Sequence, residues 1–353
     1  MWHFAVLLAC AAAIYVSCEW FVNAVEWLGQ RLRVSGVAVA TVLAALGTAL
    51  PESAVTFAAV TTGDGASKQI GVGAAMGGPL ALATVAYGAT GVALLVARRR
   101  ARRPQLATVG GGAEAPAPAP PAPPPRGPLG VRHEYDRLLR DQKWFLAVFA
   151  LKVAIGLVAF AAKPWLGLLF FAAYAVYFGR ELRGGSGEDR GELGPLRLQP
   201  KRTRPDTWAV VVQTLGSLAV TFFASQLFVH QLEAVGPLLG LSGAATALLL
   251  SPLATELPEI MNAVVWVRQG KNRLALANVS GSMMVQATVP SGLGVLFTDW
   301  NLDGPLLWSG VVTALAIAYL LTTLLLRALT PIKLAWTGAL YGVFAVGLVP
   351  LLP

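Results

Sequence analysis

The sequence predicts an all-α integral membrane protein with ten transmembrane helices, arranged as two five-helix repeats of inverted topology. Composition is the first reason: 56% of the residues are hydrophobic and 13% are charged, about half the charged share of an average soluble domain. The second reason is that the apolar residues form runs long enough to cross a hydrocarbon core of about 30 Å as helices. The third is that Lys and Arg residues concentrate in alternate loops between these runs, which is how cytoplasmic loops are marked.

Each apolar run is interpreted as one membrane span. The ten spans cover residues 4–28, 36–62, 70–97, 144–161, 164–180, 207–230, 237–267, 275–297, 304–326 and 331–351. The chain is accordingly divided into 1–97 (spans one to three), 98–143 (a basic, Pro-rich linker), 144–180 (spans four and five), 181–206 (a loop) and 207–353 (spans six to ten).

Two polar interruptions separate these groups of spans. The linker at 98–143 opens with an arginine cluster and continues as an Ala/Pro tract, EAPAPAPPAPPP, which has nothing to bury and is not expected to fold. It ends in RHEYDRLLRDQKW, which is predicted to form an amphipathic helix at the membrane surface. The loop at 181–206 is rich in Gly and Arg and separates five spans from five.

The distribution of positive charge predicts the orientation of the chain. Of the 27 Lys and Arg residues, 24 lie in or beside the loops that follow odd-numbered spans, and Lys68 and Lys163 lie on the opposite side. Both termini are therefore expected outside the cell, with the long basic loops in the cytoplasm and the spans in the cell membrane. Because five spans per half is an odd number, the second half enters the membrane in the opposite sense, as in many secondary transporters. The net charge of +9 thus reflects topology, and no nucleic-acid partner is expected.

The two halves share a local sequence. Span two holds GTALPE at residues 47–52, and span seven holds ATELPE at residues 254–259, so that threonine, leucine, proline and glutamate recur at the same offsets. Downstream, span three carries GVGAAMGG at residues 71–78 and span eight carries LANVSGS at residues 276–282. Repetition within one chain is a stronger signal of function than either copy alone.

These residue types together suit a cation. Proline removes a backbone donor and clashes one turn back, so the helices are expected to be kinked or broken at Pro51 and Pro258. A break exposes carbonyl oxygens at mid-membrane, which is tolerated where protein or water covers them. Carbonyl, threonine and carboxylate oxygens form a hard environment that suits Ca²⁺ or Na⁺. The pseudo-twofold axis would bring Glu52 and Glu259 together as its two negative charges.

At these residues the sequence resembles the calcium/cation antiporter superfamily, whose members include sodium/calcium exchangers. GTALPES and ATELPEI are similar to its α-repeat pattern G-T-S-x-P-E, and ANVSGSMMVQ is similar to G-N-x-x-G-S-N followed by Asn or Asp. The resemblance implies alternating access, with ions held at the membrane midplane by spans two, three, seven and eight. The ion ligands that it implies are Glu52, Glu259, Thr48, Thr255, Asn278 and Ser282, with Gln286 where an Asn or Asp is expected.

The sequence also departs from that pattern. The first repeat places Ala74, Gly78, Pro79 and Leu82 where polar residues are expected, and Ala49 and Glu256 replace the serine that follows each threonine. Span three has thus lost ligands, while span seven has gained a third carboxylate, Glu256. Fewer neutral ligands predict fewer bound ions than the several Na⁺ of sodium/calcium exchangers. We hypothesise that Glu256 replaces a lost sodium site by taking up a proton or by binding the cation directly.

Three further ionisable residues lie inside the predicted spans. Glu19 and Glu26 share one face of span one, since they lie seven residues apart, and either could line an ion pathway. Glu26 is near the cytoplasmic end and is expected to extend its carboxylate to the interface. Lys152 lies inside span four, where it either neutralises a carboxylate or indicates that the span boundary is placed too late.

The expected function is secondary active transport, the exchange of Ca²⁺ for H⁺ or Na⁺ across the membrane. A monovalent Na⁺/H⁺ or K⁺ exchanger is an alternative, as is a transport-inactive regulatory homologue that works through its cytoplasmic loops. A channel fits inverted halves with broken helices less well. No nucleophile with an adjacent base is evident, so neither an enzyme nor a cofactor is expected. The expected partners are inorganic cations and the lipid bilayer.

Overall fold

The computed structural model describes residues 2–62, 65–102, 132–158, 162–183, 193–235, 238, 248–302 and 304–351. These residues form helices and the loops between them, and none of them lies in a β-strand. The predicted all-α class is therefore confirmed for the described part of the chain. The Ala/Pro tract of the linker lies outside the described residues.

The helices follow the predicted spans closely. They are α1 (Trp2–Leu32), α2 (Gly36–Ala38), α3 (Ala45–Thr62), α4 (Gly65–Ala81), α5 (Tyr87–Arg102), α6 (Arg132–Gly156), α7 (Gly167–Arg183), α8 (Thr207–Val235), α9 (Ser251–Thr255), α10 (Leu257–Arg268), α11 (Asn272–Phe297), α12 (Gly304–Leu325) and α13 (Pro331–Leu348). Two π-helical stretches, Val39–Ala44 and Leu82–Ala86, join α2 to α3 and α4 to α5, and short 3-10 turns lie at Lys163–Leu166 and Val349–Leu351. Every predicted span overlaps at least one helix, although most of span seven before residue 248 is outside the described residues.

Several helices present an apolar outer surface. Five helical segments are long and apolar enough to cross a membrane: Trp2–Leu32, Gly71–Arg100, Thr207–Leu232, Gly304–Leu325 and Pro331–Leu351. Large apolar side chains on their outer faces are exposed, among them Leu8, Leu215, Phe223 and Val346. Exposed apolar surface of this extent suits lipid better than water.

The centre of the fold is α11. Every residue from Ala275 to Thr288 is buried, as expected of a helix that is surrounded by other helices. It packs against α3, α4, α6, α7 and α10 and against the first π-helical stretch. Gly281 allows α11 to approach the first π-helical stretch closely, because a Cβ at this position would clash with the backbone of Thr41. The central helix therefore contacts both halves of the chain.

One predicted element needs correction. The segment RHEYDRLLRDQKW does not form a separate surface helix, because α6 runs without interruption from Arg132 to Gly156. Two of its polar residues face neighbouring helices: Asp141 is buried and accepts a hydrogen bond from Ser280 Oγ at 3.2 Å, and Gln142 Nε2 donates to the Tyr87 hydroxyl at 2.6 Å. These partners lie on distant parts of the chain, so the local amphipathic pattern gave no sign of them.

Candidate cation-binding site

The helix of span seven is broken at Glu256. Helix α9 ends at Thr255 and α10 begins at Leu257, and Glu256 lies between them with φ −87° and ψ 3°. Pro258 is the second residue of α10, where a proline is tolerated because its missing amide would have no helical partner. The predicted break in the second repeat is confirmed, and it lies two residues before the proline.

The corresponding helix of the first half is continuous. Helix α3 runs from Ala45 to Thr62 and includes Pro51, so of the two predicted forms of distortion, a kink or a break, the break is not present. Regular α-helical geometry is lost earlier, in the π-helical stretch at Val39–Ala44, the kind of irregularity that often accompanies functional sites. Thr48 Oγ1 donates to the Ala44 carbonyl at 3.0 Å. The side chain of Glu52 lies outside the described part of the structure, so its place in the site stays a prediction.

The start of α10 provides a favourable environment for negative charge. Glu259 lies in the first turn of α10, where the helix dipole and the unpaired amides favour a carboxylate. Both Glu256 and Glu259 are buried. Asn278 Nδ2 of α11 donates to the backbone carbonyl of Glu259 at 3.2 Å. The first turn of α10 is thus hydrogen bonded directly to the central helix α11.

The face of α11 that is directed towards this break is polar. Asn278, Ser282 and Gln286 lie four residues apart, hence on one side of the helix, and all three are fully buried. Asn278 Oδ1 and Ser282 Oγ make no hydrogen bond to any described residue. Leaving buried polar atoms without a partner costs about 1–3 kcal/mol each. Oxygens in this condition are suited to receive a cation or water.

Gly78 brings a third helix to the same place. A Cβ built on Gly78 would lie 2.7 Å from Glu256 Oε1 and 3.1 Å from Gln286 Oε1. The backbone of α4 therefore touches both side chains, which belong to the helix break and to α11. A serine at position 78, as the exchanger pattern has, would occupy the space that the Glu256 carboxylate now fills.

The structure brings together most of the predicted ligands of the second repeat. Glu256 and Gln286 meet beside Gly78, and Glu259 adjoins Asn278. Thr255 is the last residue of α9, and its hydroxyl donates to the Pro252 carbonyl at 3.3 Å. Among the described residues, no three His, Cys, Asp or Glu side chains come together as a metal-binding group. The described site therefore consists of two carboxylates with neutral amide and hydroxyl groups.

Asn262 is a candidate that the sequence interpretation missed. It lies on α10 one turn after Glu259, is fully buried, and neither atom of its amide group is hydrogen bonded to a described residue. The signal was available, since Asn262 is an amide in an otherwise apolar segment and is three residues from a predicted ligand. It was overlooked because it does not recur in the first half.

The two carboxylates of span one have cationic partners. Glu26 is buried, accepts a hydrogen bond from Trp266 Nε1 at 2.9 Å, and pairs with Lys271 Nζ at 2.6 Å. Lys271 is partly exposed and belongs to a loop that is predicted to be cytoplasmic, so the extension of Glu26 to the interface stays a prediction that this pairing supports. Glu19 is partly exposed, pairs with Arg197 at 3.1 Å and accepts a hydrogen bond from the Tyr15 hydroxyl at 2.8 Å.

Comparison with known proteins identifies the family. A family model described as sodium/calcium exchanger protein matches residues 2–180 and 209–351, which include both copies of the repeat. The chain belongs to the sodium/calcium exchanger family. This family consists of exchangers and not of enzymes, and together with the apolar helices it shows that the chain is a multi-pass integral membrane protein.

Individual members of the exchanger family resemble the chain to different extents. The putative antiporter CaxA of Alkalimonas amylolytica is 27% identical over 169 residues, which are 47% of this chain and 51% of that protein. The match thus spans about half the length of this relative. The sodium-calcium exchanger NCX_Mj, soaked with 100 mM Na⁺ and 10 mM Sr²⁺, has a similar fold, with a TM-score of 0.69 at 17% identity over 99% of this chain and 98% of that one. The same exchanger soaked with zero Na⁺ and Ca²⁺ gives 0.70 at 17% identity, over 98% of each chain.

Proposed function

We propose that the chain is a secondary active cation antiporter that exchanges Ca²⁺ for H⁺ or Na⁺ by alternating access. Family membership across both halves makes it an exchanger, and the site supports the choice of cation. The observation that carries this proposal is the buried break at Glu256, where Glu256 and Glu259 meet the polar face of α11. Carboxylate, amide and hydroxyl oxygens are the ligands that Ca²⁺ and Na⁺ take in proteins.

The proposed ligands come from both halves. They are Glu52, Thr48, Thr255, Glu256, Glu259, Asn278, Ser282 and Gln286, and Asn262 is added to them. Glu52 and Glu259 would supply two negative charges, one from each half of the chain. Thr48 and Thr255 can still coordinate a cation in their present positions, because a hydroxyl that donates its proton to a carbonyl keeps lone pairs on its oxygen.

Glu256 has a distinct role in this proposal. Its carboxylate occupies the space beside Gly78, where span three has lost a polar ligand. We infer that it replaces the missing ligand, either by binding the cation directly or by taking up the proton that is exchanged. An exchange rate that is the same in the Glu256→Gln variant at every pH would contradict both roles.

The membrane arrangement is part of the same proposal. Ten spans in two inverted halves would place the break at Glu256 and the centre of α11 at the midplane, accessible from either side in turn. The overlap of every predicted span with a helix supports this arrangement, and so does the similarity of the fold to that of NCX_Mj.

Monovalent exchange is the second candidate. Ca²⁺ usually takes six to eight oxygen ligands, and the first half contributes few, since Ala74, Gly78, Pro79 and Leu82 replace polar residues. A smaller ligand set with several carboxylates also suits Na⁺/H⁺ or K⁺ exchange.

The test is ⁴⁵Ca²⁺ uptake into proteoliposomes, driven separately by an outward Na⁺ gradient and an outward H⁺ gradient. Uptake is expected under one of the gradients and should fall by about tenfold or more in Glu52→Gln and Glu259→Gln, because loss of a charged ligand exceeds the roughly 1.4 kcal/mol that a tenfold change represents. Glu19→Gln is the matched control: Glu19 pairs with Arg197 and is not one of the proposed ligands, so its substitution should leave uptake unchanged.

The other outcomes separate the alternatives. Folded protein that moves ²²Na⁺ or ⁸⁶Rb⁺ but no Ca²⁺ would replace Ca²⁺ exchange with monovalent exchange. Folded protein that moves none of these ions would contradict the proposal of transport altogether.

A further inference from the structure

Lys152 is buried next to the candidate site. It lies on α6 with no exposed surface, and its Nζ donates to the Ala75 carbonyl at 2.9 Å and to Ser291 Oγ at 3.3 Å. The ring of Phe149 lies 4.7 Å from the same nitrogen, within the range of a cation–π contact. Within the described part of the chain, its polar partners are thus a carbonyl and a hydroxyl, not a carboxylate.

Neither sequence interpretation accounts for this position. Helix α6 begins at Arg132 and not at residue 144, yet Lys152 is buried inside the protein wherever the span begins. The backbone here is also fixed, because buried Trp300 donates its Nε1 hydrogen to the Lys152 carbonyl at 3.0 Å. A lysine usually extends its ammonium towards water, whereas this one is enclosed by α4, α6 and α11.

The ammonium connects the same two helices that flank Glu256. Ala75 lies on α4 one turn before Gly78, and Ser291 lies on α11 five residues after Gln286. The Ser291 hydroxyl also donates to the Gln286 carbonyl, at 3.5 Å. The groups that bind Lys152 Nζ are thus three and five residues along their helices, roughly 5–8 Å, from the place where Glu256, Gln286 and Gly78 meet.

We propose that the Lys152 ammonium is a built-in cation that occupies a monovalent-cation position beside the candidate site and takes the place of one Na⁺ in the cycle. Its partners, a backbone carbonyl and a hydroxyl, are oxygens of the kind that bind Na⁺. In its protonated form it would offset part of the negative charge of the helix break, as a bound Na⁺ would. This inference rests on the proposed function. It means that the exchanger binds one Na⁺ fewer in each cycle than an exchanger in which Na⁺ itself occupies the position of the Lys152 ammonium.

The test compares two substitutions that both remove the charge. Lys152→Ala empties the space, so that Na⁺ can bind to the Ala75 carbonyl and Ser291 hydroxyl, whereas Lys152→Met fills it with an uncharged chain of similar size. The melting temperature of each purified variant is measured in NaCl and in choline chloride. Lys152→Ala is expected to gain a Na⁺-dependent rise in melting temperature beyond that of the wild type, because a ligand that binds the folded state stabilises it. Lys152→Met should gain none.

Lys163→Ala is the control for loss of a buried lysine. Lys163 is also buried but donates to Asn301 Oδ1 at 3.2 Å, so its Na⁺ response should match that of the wild type. An equal Na⁺ response in wild type and Lys152→Ala would overturn the proposal. If Lys152→Ala does not fold in either salt, Lys152→Ser provides the same comparison with the same two outcomes.

The melting measurement does not depend on transport. Absence of Ca²⁺ uptake by the wild type would therefore remove the proposed exchange without deciding the role of Lys152. Where uptake is observed, external Na⁺ should inhibit it more steeply in Lys152→Ala than in the wild type. Equal steepness would contradict the replacement of a coupling ion.

Discussion

At the scale of single residues, Gly78 and Glu256 share one small space between α4 and the break before α10. The exchanger pattern that the sequence resembles has serine at both positions, and here one has become smaller while the other has become larger and charged. The close approach of Gly78 to Glu256 Oε1 indicates that the two changes compensate each other. In the proposed site, a carboxylate of one helix would take the place of a polar ligand on another.

This compensation predicts strong coupling between the two positions. Gly78→Ser places a side chain against the Glu256 carboxylate, where the built Cβ is 2.7 Å from Oε1, and overpacking of this kind costs about 1–3 kcal/mol. Adding Glu256→Ser should restore much of the lost stability, with a coupling energy above about 0.5 kcal/mol in a double-mutant cycle. The free energy of unfolding of the four proteins is the measurement.

The control for this cycle lies on the same helix. A Cβ at Gly73 meets no atom within 4 Å, so Gly73→Ser should have a small effect that adds to the effect of Glu256→Ser. Effects of Gly78→Ser and Glu256→Ser that simply add would show that the two positions do not compensate each other.

At the scale of helices, the sequence predicted where helices occur better than where they are irregular. Apolar runs located the helices because burial or lipid exposure requires such runs whatever the packing. The same tetrad of Thr, Leu, Pro and Glu, however, accompanies a break at Glu256 and a continuous helix at Pro51. The broken helix also has a partner far away in the sequence, since Gly77 of α4 lies against Pro252. Local sequence does not contain such contacts.

The same limit applies to the ionisable residues. Thr255 and Glu259 could be predicted because they recur in the first half with the same spacing. Asn278, Ser282 and Gln286 were predicted from the resemblance to the exchanger pattern, since the first half has apolar or small residues at the equivalent positions. The partners of Glu26, Asp141 and Lys152 could not be found, because each is fixed by a helix more than a hundred residues away along the chain or by backbone groups. Asn262 is an intermediate case. Its position three residues after Glu259 could be seen in the sequence, but the first half has no amide three residues after Glu52.

The close contact between α11 and the first π-helical stretch predicts that a larger residue at Gly281 destabilises the protein. Gly281 of α11 lies against the backbone of Thr41, and backbone atoms cannot move aside as the end of a flexible side chain can. Gly281→Ala should therefore destabilise the protein by about 1–3 kcal/mol, measured as a lower melting temperature in detergent. Gly73→Ala is the matched control; it fills open space in a helix and should be neutral or stabilising by up to about 1 kcal/mol. Equal stability of the two variants would mean that the two helices can separate without cost.

At the scale of the whole molecule, the basic residues that predict topology also connect its parts. Arg197, Lys271 and Arg140 come from three different loops or linker segments that are predicted to be cytoplasmic. They pair with Glu19 at 3.1 Å, with Glu26 at 2.6 Å and with Glu181 at 3.0 Å respectively. Partly exposed pairs of this kind contribute modestly to stability. Their consistent placement supports one basic face of the molecule and one face with few positive charges.

The number of membrane crossings decides this topology. Ten crossings place both ends of the chain on the same side of the membrane, whereas the five segments that are long and apolar enough on their own would place them on opposite sides. Single cysteines distinguish these cases after Cys10 and Cys18, both buried, are replaced by serine. Trp2→Cys, Leu351→Cys and Lys201→Cys all lie at exposed positions. They can be treated with a membrane-impermeant maleimide in intact cells.

The basic loops predict the result. Of the 27 positive residues, 24 lie in or beside loops that are predicted to share one side of the membrane. That side of the membrane is therefore expected to be cytoplasmic. The two terminal cysteines should react in intact cells, and Lys201→Cys should react only after the membrane is permeabilised. Reaction at one terminus alone would require an odd number of crossings and would rule out two inverted five-span halves. Reaction of Lys201→Cys with both termini protected would keep the ten crossings and reverse the orientation.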